Sequence, residues 1–353
     1  MTAPPWWRPD RFAIRRGNLR VRSAILAALR DWFAGDNFIE VETPALGVGA
    51  PPEPQLVPFR TALAAPGAAA GLPMFLHTSP ELAMKKLLVA GMERIWQPAR
   101  VFRNAERSAT HHPEFTMIEW YRAGADYREL MADCEGILRV ARAAARVKSL
   151  HWNGQSSDPE LAFERLSVAE AFHRHAGIDL LATAPDPHAP SLELLAAAAR
   201  TQGIQSRPGD SWDDLFFRIF LERIEPKLGI GQPTLLYDYP VSMAALARPS
   251  PHDPRVAERV ELYVCGLELA NGFSELTDAA EQRRRLQRDA AVRARIEGAA
   301  APIDDDFLAA LAHGMPEAAG MALGFDRLVM LATGARRIDD VLWASVADPE
   351  RPR

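Results

Sequence analysis

At 353 residues, 48% of them hydrophobic and 25% charged, the chain can build one large globular domain or two small ones without disulfide or metal staples. Its two cysteines, Cys134 and Cys265, have no CxxC partner, which argues against a zinc site or a disulfide framework and for a reducing, cytoplasmic compartment. A net charge of −5 argues against an extended nucleic-acid surface, and no apolar run suits a membrane span or a secretory signal.

Residues 1–22 carry Arg8, Arg11, Arg15, Arg16, Arg20 and Arg22, the pattern of a solvated leader or a helix start. Ile25, Leu29, Trp32 and Phe33 then recur at helical spacing, and Gly35 ends the helix they predict. Phe38 to Thr43 alternates as a strand closed by Pro44, and the Ala/Gly/Pro-rich residues 61–73 read as an exposed loop. Ser79 as N-cap, Pro80 at the first position and Gly91 at the exit predict another helix. Val101 to Asn104 and His111 to Tyr121 read as the two strands of a hairpin. Residues 181–210 read as an inserted helical subdomain, and 278–297 as a charged helix with a solvated face. Hairpin-length loops between strands favour an antiparallel sheet with helices packed on it, an α+β fold. Neither GxxxxGK[ST] nor a GxGxxG after a strand is present, so a nucleotide would be held without a P-loop or a Rossmann crevice.

Strand alternation puts Phe115, Met117, Glu119 and Tyr121 on one face, a ring, a carboxylate and a phenol that suit a pocket better than a core. Downstream, Asn271, Phe273 and Glu275 share a strand face with Glu268 on the other. A bulge or bend at Gly272 would bring Glu268 and Glu275 together as hard oxygen ligands for Mg²⁺. Two unrelated surface glutamates remain the alternative that spacing leaves open. Near the C-terminus, Gly320-Met321-Ala322-Leu323-Gly324-Phe325-Asp326-Arg327 reads as a glycine-punctuated strand entering a helix with an arginine in its first turn. Glu81, Glu119, Glu268 and Glu275 together are more acid than a nucleotide alone tolerates. They point to Mg·ATP beside an amine-bearing substrate.

At these segments (Phe102-Arg103-Asn104, His111 to Tyr121, Glu268 to Leu276, and Gly320 to Arg327) the sequence resembles the class II aminoacyl-tRNA synthetases, and within them the catalytic core of lysyl-tRNA synthetase. The resemblance spans nearly the whole chain. It implies a single catalytic domain over 1–353, with a helical insertion at about 160–230 and an antiparallel six-stranded sheet flanked by helices, in a homodimer. The stretch ahead of the first motif leaves no room for the OB-fold that binds the anticodon. Ser79-Pro80-Glu81 and Ala322 are similar to the elongation factor P–(R)-β-lysine ligases, paralogues of the synthetase. That likeness implies ATP and Mg²⁺ as cofactors, (R)-β-lysine as the activated amino acid and a lysine of elongation factor P as acceptor, with tRNA not expected as a partner.

Carried over by resemblance, Arg103 holds the α-phosphate and Arg327 covers the nucleotide, and these two carry the catalysis. His111 approaches the γ-phosphate, Phe115 stacks on adenine, and Asn104, Glu106, His112, Glu268, Leu269 and Gly324 complete the ATP contacts. Glu268 and Glu275 hold the metal. Ser79, Pro80, Glu81, Glu119, Tyr121, Asn271, Phe273, Glu275 and Ala322 form the amino-acid pocket. Two departures fall in the ATP-facing loop: Ala105 stands at a glutamate position, with Glu106 one later, and His112 replaces an asparagine.

Overall fold

The computed structural model describes residues 6–51, 53–64, 66–67, 71–298 and 302–346. The arginine-rich segment is the first half of a long helix, α1 (Pro9–Gly35), opened by Pro9 with Asp10 in its first turn. Leu19, Ile25, Leu29 and Phe33 form its buried stripe, and Asn37, at φ 61°, turns the chain in the left-handed region just beyond Gly35. Two of the arginines, Arg15 and Arg22, are buried rather than solvated.

The segment after α1 pairs as a strand over only two residues, β1 (Ile39–Glu40). Next come β2 (Leu46–Gly47), β3 (Phe59–Leu63) and β4 (Leu72–Leu76), which form a small antiparallel sheet in the order β2-β4-β3. The stretch expected as a loop over 61–73 therefore begins and ends in strands. Residues 65 and 68–70 lie outside the described part. Helix α2 (Glu81–Val89) starts one residue later than expected, with Pro80 at the cap and the Ser79 hydroxyl accepting from the Glu81 N–H.

The long strands β5 (Arg94–Phe102) and β6 (Glu114–Ala123) form the expected hairpin. Helix α3 (Tyr127–Ala145) follows, closed at its start by a capping box between Asp126 and Glu129. A two-stranded ribbon, β7 (Leu150–Trp152) and β8 (Gln155–Ser157), leads to β9 (Glu164–Ser167). Helices α4 (Val168–Ala176), α5 (Leu192–Thr201) and α6 (Trp212–Ile219) then close on a core of their own, built on Phe172, Leu195, Trp212 and Phe216. The chain returns through β10 (Thr234–Pro240), β11 (Val256–Val264) and β12 (Leu267–Ser274). It ends with α7 (Ala279–Glu297), α8 (Asp305–Gly314), β13 (Ala318–Gly324) and α9 (Phe325–Thr333).

The large sheet runs β1-β5-β6-β13-β12-β11-β10-β9. Its middle six strands pair antiparallel throughout, as expected for this α+β fold. The short edge strands β1 and β9 add in parallel, so the sheet has eight strands rather than six. One face is covered by α1, α3 and α9 over a continuous apolar core that includes Phe33, Trp96, Ile118, Trp120 and Leu328. Burying side chains of that size stabilises by roughly 1.5–3 kcal/mol each and fixes which residues of every strand must face the other way. The other face is open along the middle, and α2 and α8 close one end of it over Ile95 and Tyr121.

Candidate active site

Register assembles the open face. Gln97, Glu119, Ala322, Asn271 and Glu261 lie directly opposite one another across β5, β6, β13, β12 and β11. The next row on the same face is Ile95, Tyr121, Gly320, Phe273 and Arg259. Directly opposed side chains sit about 4.5–5.5 Å apart at Cβ, so a strip of pocket residues follows from strand pairing alone. Gly320 is required there: a Cβ would fall 2.2 Å from the Tyr121 ring and 2.8 Å from Glu275 Oε1.

One end of the strip is acidic and only partly satisfied from within: among the described residues neither oxygen of the buried Glu275 accepts a hydrogen bond, and Lys85 meets it as an ion pair. Glu119, 1% exposed, accepts from the Ser79 hydroxyl at 2.7 Å and from the Tyr121 hydroxyl at 2.7 Å. Lys85, one turn along α2, places its Nζ 2.5 Å from Glu81 Oε1 and 2.5 Å from Glu275 Oε2, and 5.2 Å from the centre of the Phe273 ring. Burial and the neighbouring Glu81 charge push Glu119 up to about 8. Burial likewise pushes Glu275 up to about 8, against the pull of Lys85. Glu275 and Glu81 raise Lys85 despite its burial. Three carboxylates share one ammonium and two hydroxyls, an arrangement that gains from a further cation.

The other end is cationic and rests on neutral acceptors. Arg327, in the first turn of α9, donates to the Glu268 carbonyl at 2.7 Å, to the Thr110 carbonyl at 3.4 Å and to His111 Nε2 at 2.6 Å. Burial, then Arg327 and Arg103, depress His111 to about 4, so at neutral pH its ring accepts from Arg327 as a neutral imidazole. Arg103 lies over the Phe115 ring at 5.2 Å, and its buried Nε has no hydrogen-bond partner among the described residues. Glu106 comes only to 3.9 Å of its Nη1. Ala105 adopts φ 65°, a left-handed turn that costs a non-glycine residue about 1–2 kcal/mol. That turn carries Glu106 back beside Arg103. Held by carbonyls and a neutral ring, Arg327 keeps its full charge for an anion.

The start of α9 is locked from behind. Arg22 of α1 pairs with the buried Asp326 and donates to Thr116 Oγ1 at 2.9 Å, while Asp326 accepts from the Thr116 N–H at 2.7 Å. This network ties Arg327 to the strand that bears Phe115. Gly324 caps α9, and a Cβ there would meet the Arg327 stem at 3.6 Å.

The metal pair read from spacing does not fit. Glu268 and Glu275 are seven residues apart on one extended strand, about 23 Å at the usual rise, and Glu275 is committed to Lys85. The bulge exists, but at Leu269 rather than Gly272: Leu262 pairs with Ala270 while Tyr263 pairs with Glu268, leaving Leu269 extra. Gly272 instead allows close strand approach, since its Cβ would fall 2.5 Å from the Gly320 carbonyl. The extra residue turns Glu268 onto the open face with Asn271, where spacing had set them on opposite faces, and brings it near Glu261. That neighbour, after burial, holds Glu268 up at about 7. Glu268 offers the hard oxygen donor that a divalent cation prefers, whereas both oxygens of Glu261 are taken by Arg259, Tyr239 and Tyr263. Among the described residues no group of three or more His, Cys, Asp or Glu side chains converges as a metal site.

Other residues named from sequence sit elsewhere. Leu269 buries its side chain in the core on the far face. His112 is buried, with Nδ1 donating to the Glu114 carbonyl at 2.6 Å and Nε2 accepting from the Val346 N–H at 3.2 Å, so its ring is spent on the backbone. The Asn104 side chain accepts from the Ala105 N–H and stays local. Pro80 is buried at the cap of α2. Asn271 accepts from Arg259 at 3.2 Å, and Arg259 also donates to Glu261 at 2.6 Å and lies over the Tyr239 ring. Lys85, Arg259 and Glu261 escape a reading by residue type. The available signal was Lys85 at one helical turn from Glu81, and Glu261 two residues from Tyr263 on an alternating strand.

Comparison with known proteins agrees with this geometry. Residues 11–344 match the family described as tRNA synthetases class II (D, K and N). The chain is 43% identical over 330 residues to the elongation factor P--(R)-beta-lysine ligase of Sodalis glossinidius, covering 93% of this chain and 95% of that protein. The ligase of the same name from Photorhabdus laumondii is 43% identical over 329 residues, with the same coverages. That of Pectobacterium carotovorum is 42% identical over 343 residues, covering 96% and 97%. The chain belongs to the class II tRNA synthetases, in the branch of the elongation factor P–(R)-β-lysine ligases. It is an ATP-dependent ligase by that membership. No helix among the described residues is long and apolar enough to cross a membrane.

Proposed function

We propose that this protein activates (R)-β-lysine as its adenylate and transfers the acyl group to a lysine side chain of elongation factor P. The observation that carries the reading is the polarity of this sheet face. Surplus carboxylates gather at Glu81, Glu119 and Glu275, and guanidiniums on neutral rests gather at Arg103 and Arg327. A diamino acid has two ammonium groups for the first end, and its carboxylate then points toward phosphates gathered at the second. In the first step that carboxylate attacks the α-phosphorus of ATP and pyrophosphate leaves. Arg103 and Arg327 neutralise the developing charge, and alignment does most of the remaining work. Mg²⁺ would be held by Glu268, supplying charge neutralisation on the phosphates.

Ala322 sits between Glu119 and Asn271 in the row of opposed residues, so its methyl group narrows the pocket where the amino acid would lie. Ser79 fixes one oxygen of Glu119 from the other side. A homodimer fits the exposed Ile39, Leu46 and Val48 around the small sheet, and a cytoplasmic location follows from the acceptor. The test is pyrophosphate exchange with each lysine isomer, followed by transfer to elongation factor P. The expected outcome is exchange about tenfold or more faster with (R)-β-lysine than with α-lysine. Equal or faster exchange with α-lysine together with tRNA charging would overturn the reading, as would ATP binding without exchange.

A further inference from the structure

The transfer step needs a group to take a proton from the incoming lysine ammonium, and most carboxylates of the site are already engaged. Glu119 holds Ser79 and Tyr121, Glu81 and Glu275 hold Lys85, and Glu261 holds Arg259, Tyr239 and Tyr263. Glu53 differs. Among the described residues no side chain hydrogen-bonds or ion-pairs with its carboxylate, which lies within reach of its own backbone N–H.

The loop that bears Glu53 is fixed from two sides. Arg293 of α7, 2% exposed, donates to the carbonyls of Pro51 at 2.9 Å, Glu53 at 2.6 Å and Leu56 at 2.9 Å. The Leu56 N–H closes a turn onto the Glu53 carbonyl at 3.1 Å. Val57 then bridges to Asn104, whose N–H donates to the Val57 carbonyl at 2.8 Å, so the loop is sewn to the residue next to Arg103. The charges facing Glu53 are Glu81 from α2, Arg103 from the end of β5 and Arg259 from β11. Burial, followed by the Glu81 charge, raises its proton affinity above the ordinary carboxylate range. A half-buried carboxylate is thus carried on a loop tied to the residue next to Arg103, with Glu81 of the acidic end and Arg103 of the cationic end among its charged neighbours.

We propose that Glu53 is the proton acceptor for the transfer step, receiving the acceptor lysine as an ammonium and releasing it as an amine. The inference rests on the function proposed above. The ammonium gives one proton to the Glu53 carboxylate, and the amine nitrogen attacks the acyl carbon. A C–N bond forms as the bond from that carbon to the phosphate oxygen breaks, and AMP leaves with the bonding pair. The second proton passes from nitrogen to the departing phosphate oxygen. Glu53 takes no part in forming the adenylate.

The experiment separates the two steps in the full-length enzyme. In Glu53→Gln, single-turnover transfer from preformed adenylate to elongation factor P should fall about a hundredfold. Pyrophosphate exchange should fall by no more than about threefold, with the KM for ATP showing that Arg103 is still in place. Glu53→Asp should recover part of the transfer. The wild-type transfer rate should rise with pH as Glu53 ionises, and that rise should flatten in the Gln variant. Transfer within threefold of wild type, or exchange falling as far as transfer, overturns the inference. Wild-type protein that exchanges with neither isomer takes down the function first and this step with it.

Discussion

The two ends of the open face treat charge in opposite ways. At the acidic end, Glu81 and Glu275 share Lys85, and Glu119 is held by two hydroxyls, so every carboxylate has a partner inside the protein. At the cationic end, Arg327 leans on two carbonyls and a neutral imidazole, and Arg103 has no close counter-ion. A buried acid cluster without an internal cation would be hard to fold, because desolvation outweighs anything solvent can return. Guanidiniums lose less on burial and need only neutral acceptors to hold their aim. The fold therefore carries its own counter-cation, Lys85, at the acidic end, while at the cationic end the carboxylate nearest Arg103, Glu106, stays 3.9 Å away.

Breaking the contrast at Lys85 should have the largest effect. Lys85→Met strands two buried carboxylates and should lower unfolding free energy by about 3–5 kcal/mol in chemical denaturation. Adding Glu275→Gln should return at least about 1 kcal/mol of it. A loss no larger than that of a surface substitution would mean the acid cluster is solvated and the contrast is wrong. At the other end, Arg327→Ala should leave the fold intact and slow pyrophosphate exchange about 10²–10³-fold, as loss of a preorganised charge donor does. An effect confined to KM would assign Arg327 to ground-state binding alone.

Smaller changes sharpen the comparison. Ala322→Gly removes the methyl between Glu119 and Asn271 and should shift the exchange ratio toward α-lysine by about tenfold, with little change in the KM for ATP. A pH series tests the acidic end without mutation. Glu119 and Glu275 titrate near 8 in the folded chain against an ordinary carboxylate value of 4.5. The folded state keeps protons that the unfolded state has released, so their contribution to stability falls as pH rises from about 4.5 to about 8. A diammonium ligand favours the ionised forms and should raise Tm more at pH 8.5 than at pH 6. A shift that shrinks with rising pH would contradict the assignment.

Much of this was legible in the sequence, for identifiable reasons. Alternation along β6 is local, so Glu119 and Tyr121 could be placed on one face from spacing alone, and the glycine-punctuated β13 announced its own close contacts. The bulge was not legible. Gly272 looked like the irregular residue, yet the extra residue is Leu269, because register is set by which residues of β11 pair across from it. That long-range choice moved the partner of Glu268 from Glu275 to Glu261. Helix α7 read as a solvated face from its charges, but Arg285 and Arg293 are buried, donating to carbonyls of loops far away in sequence. Nothing in a run of arginines distinguishes those that reach water from those that staple a loop.

His112 joins the motif loop to the other end of the chain through the Val346 N–H. The loop that carries His111 is therefore buttoned to the segment at Val346, and whatever pulls on that segment pulls on His111 and its partner Arg327. Trimming the chain back past Val346 should raise the KM for ATP while sparing that for the diamino acid. Kinetic work on this enzyme is best done with purification handles at the opposite terminus.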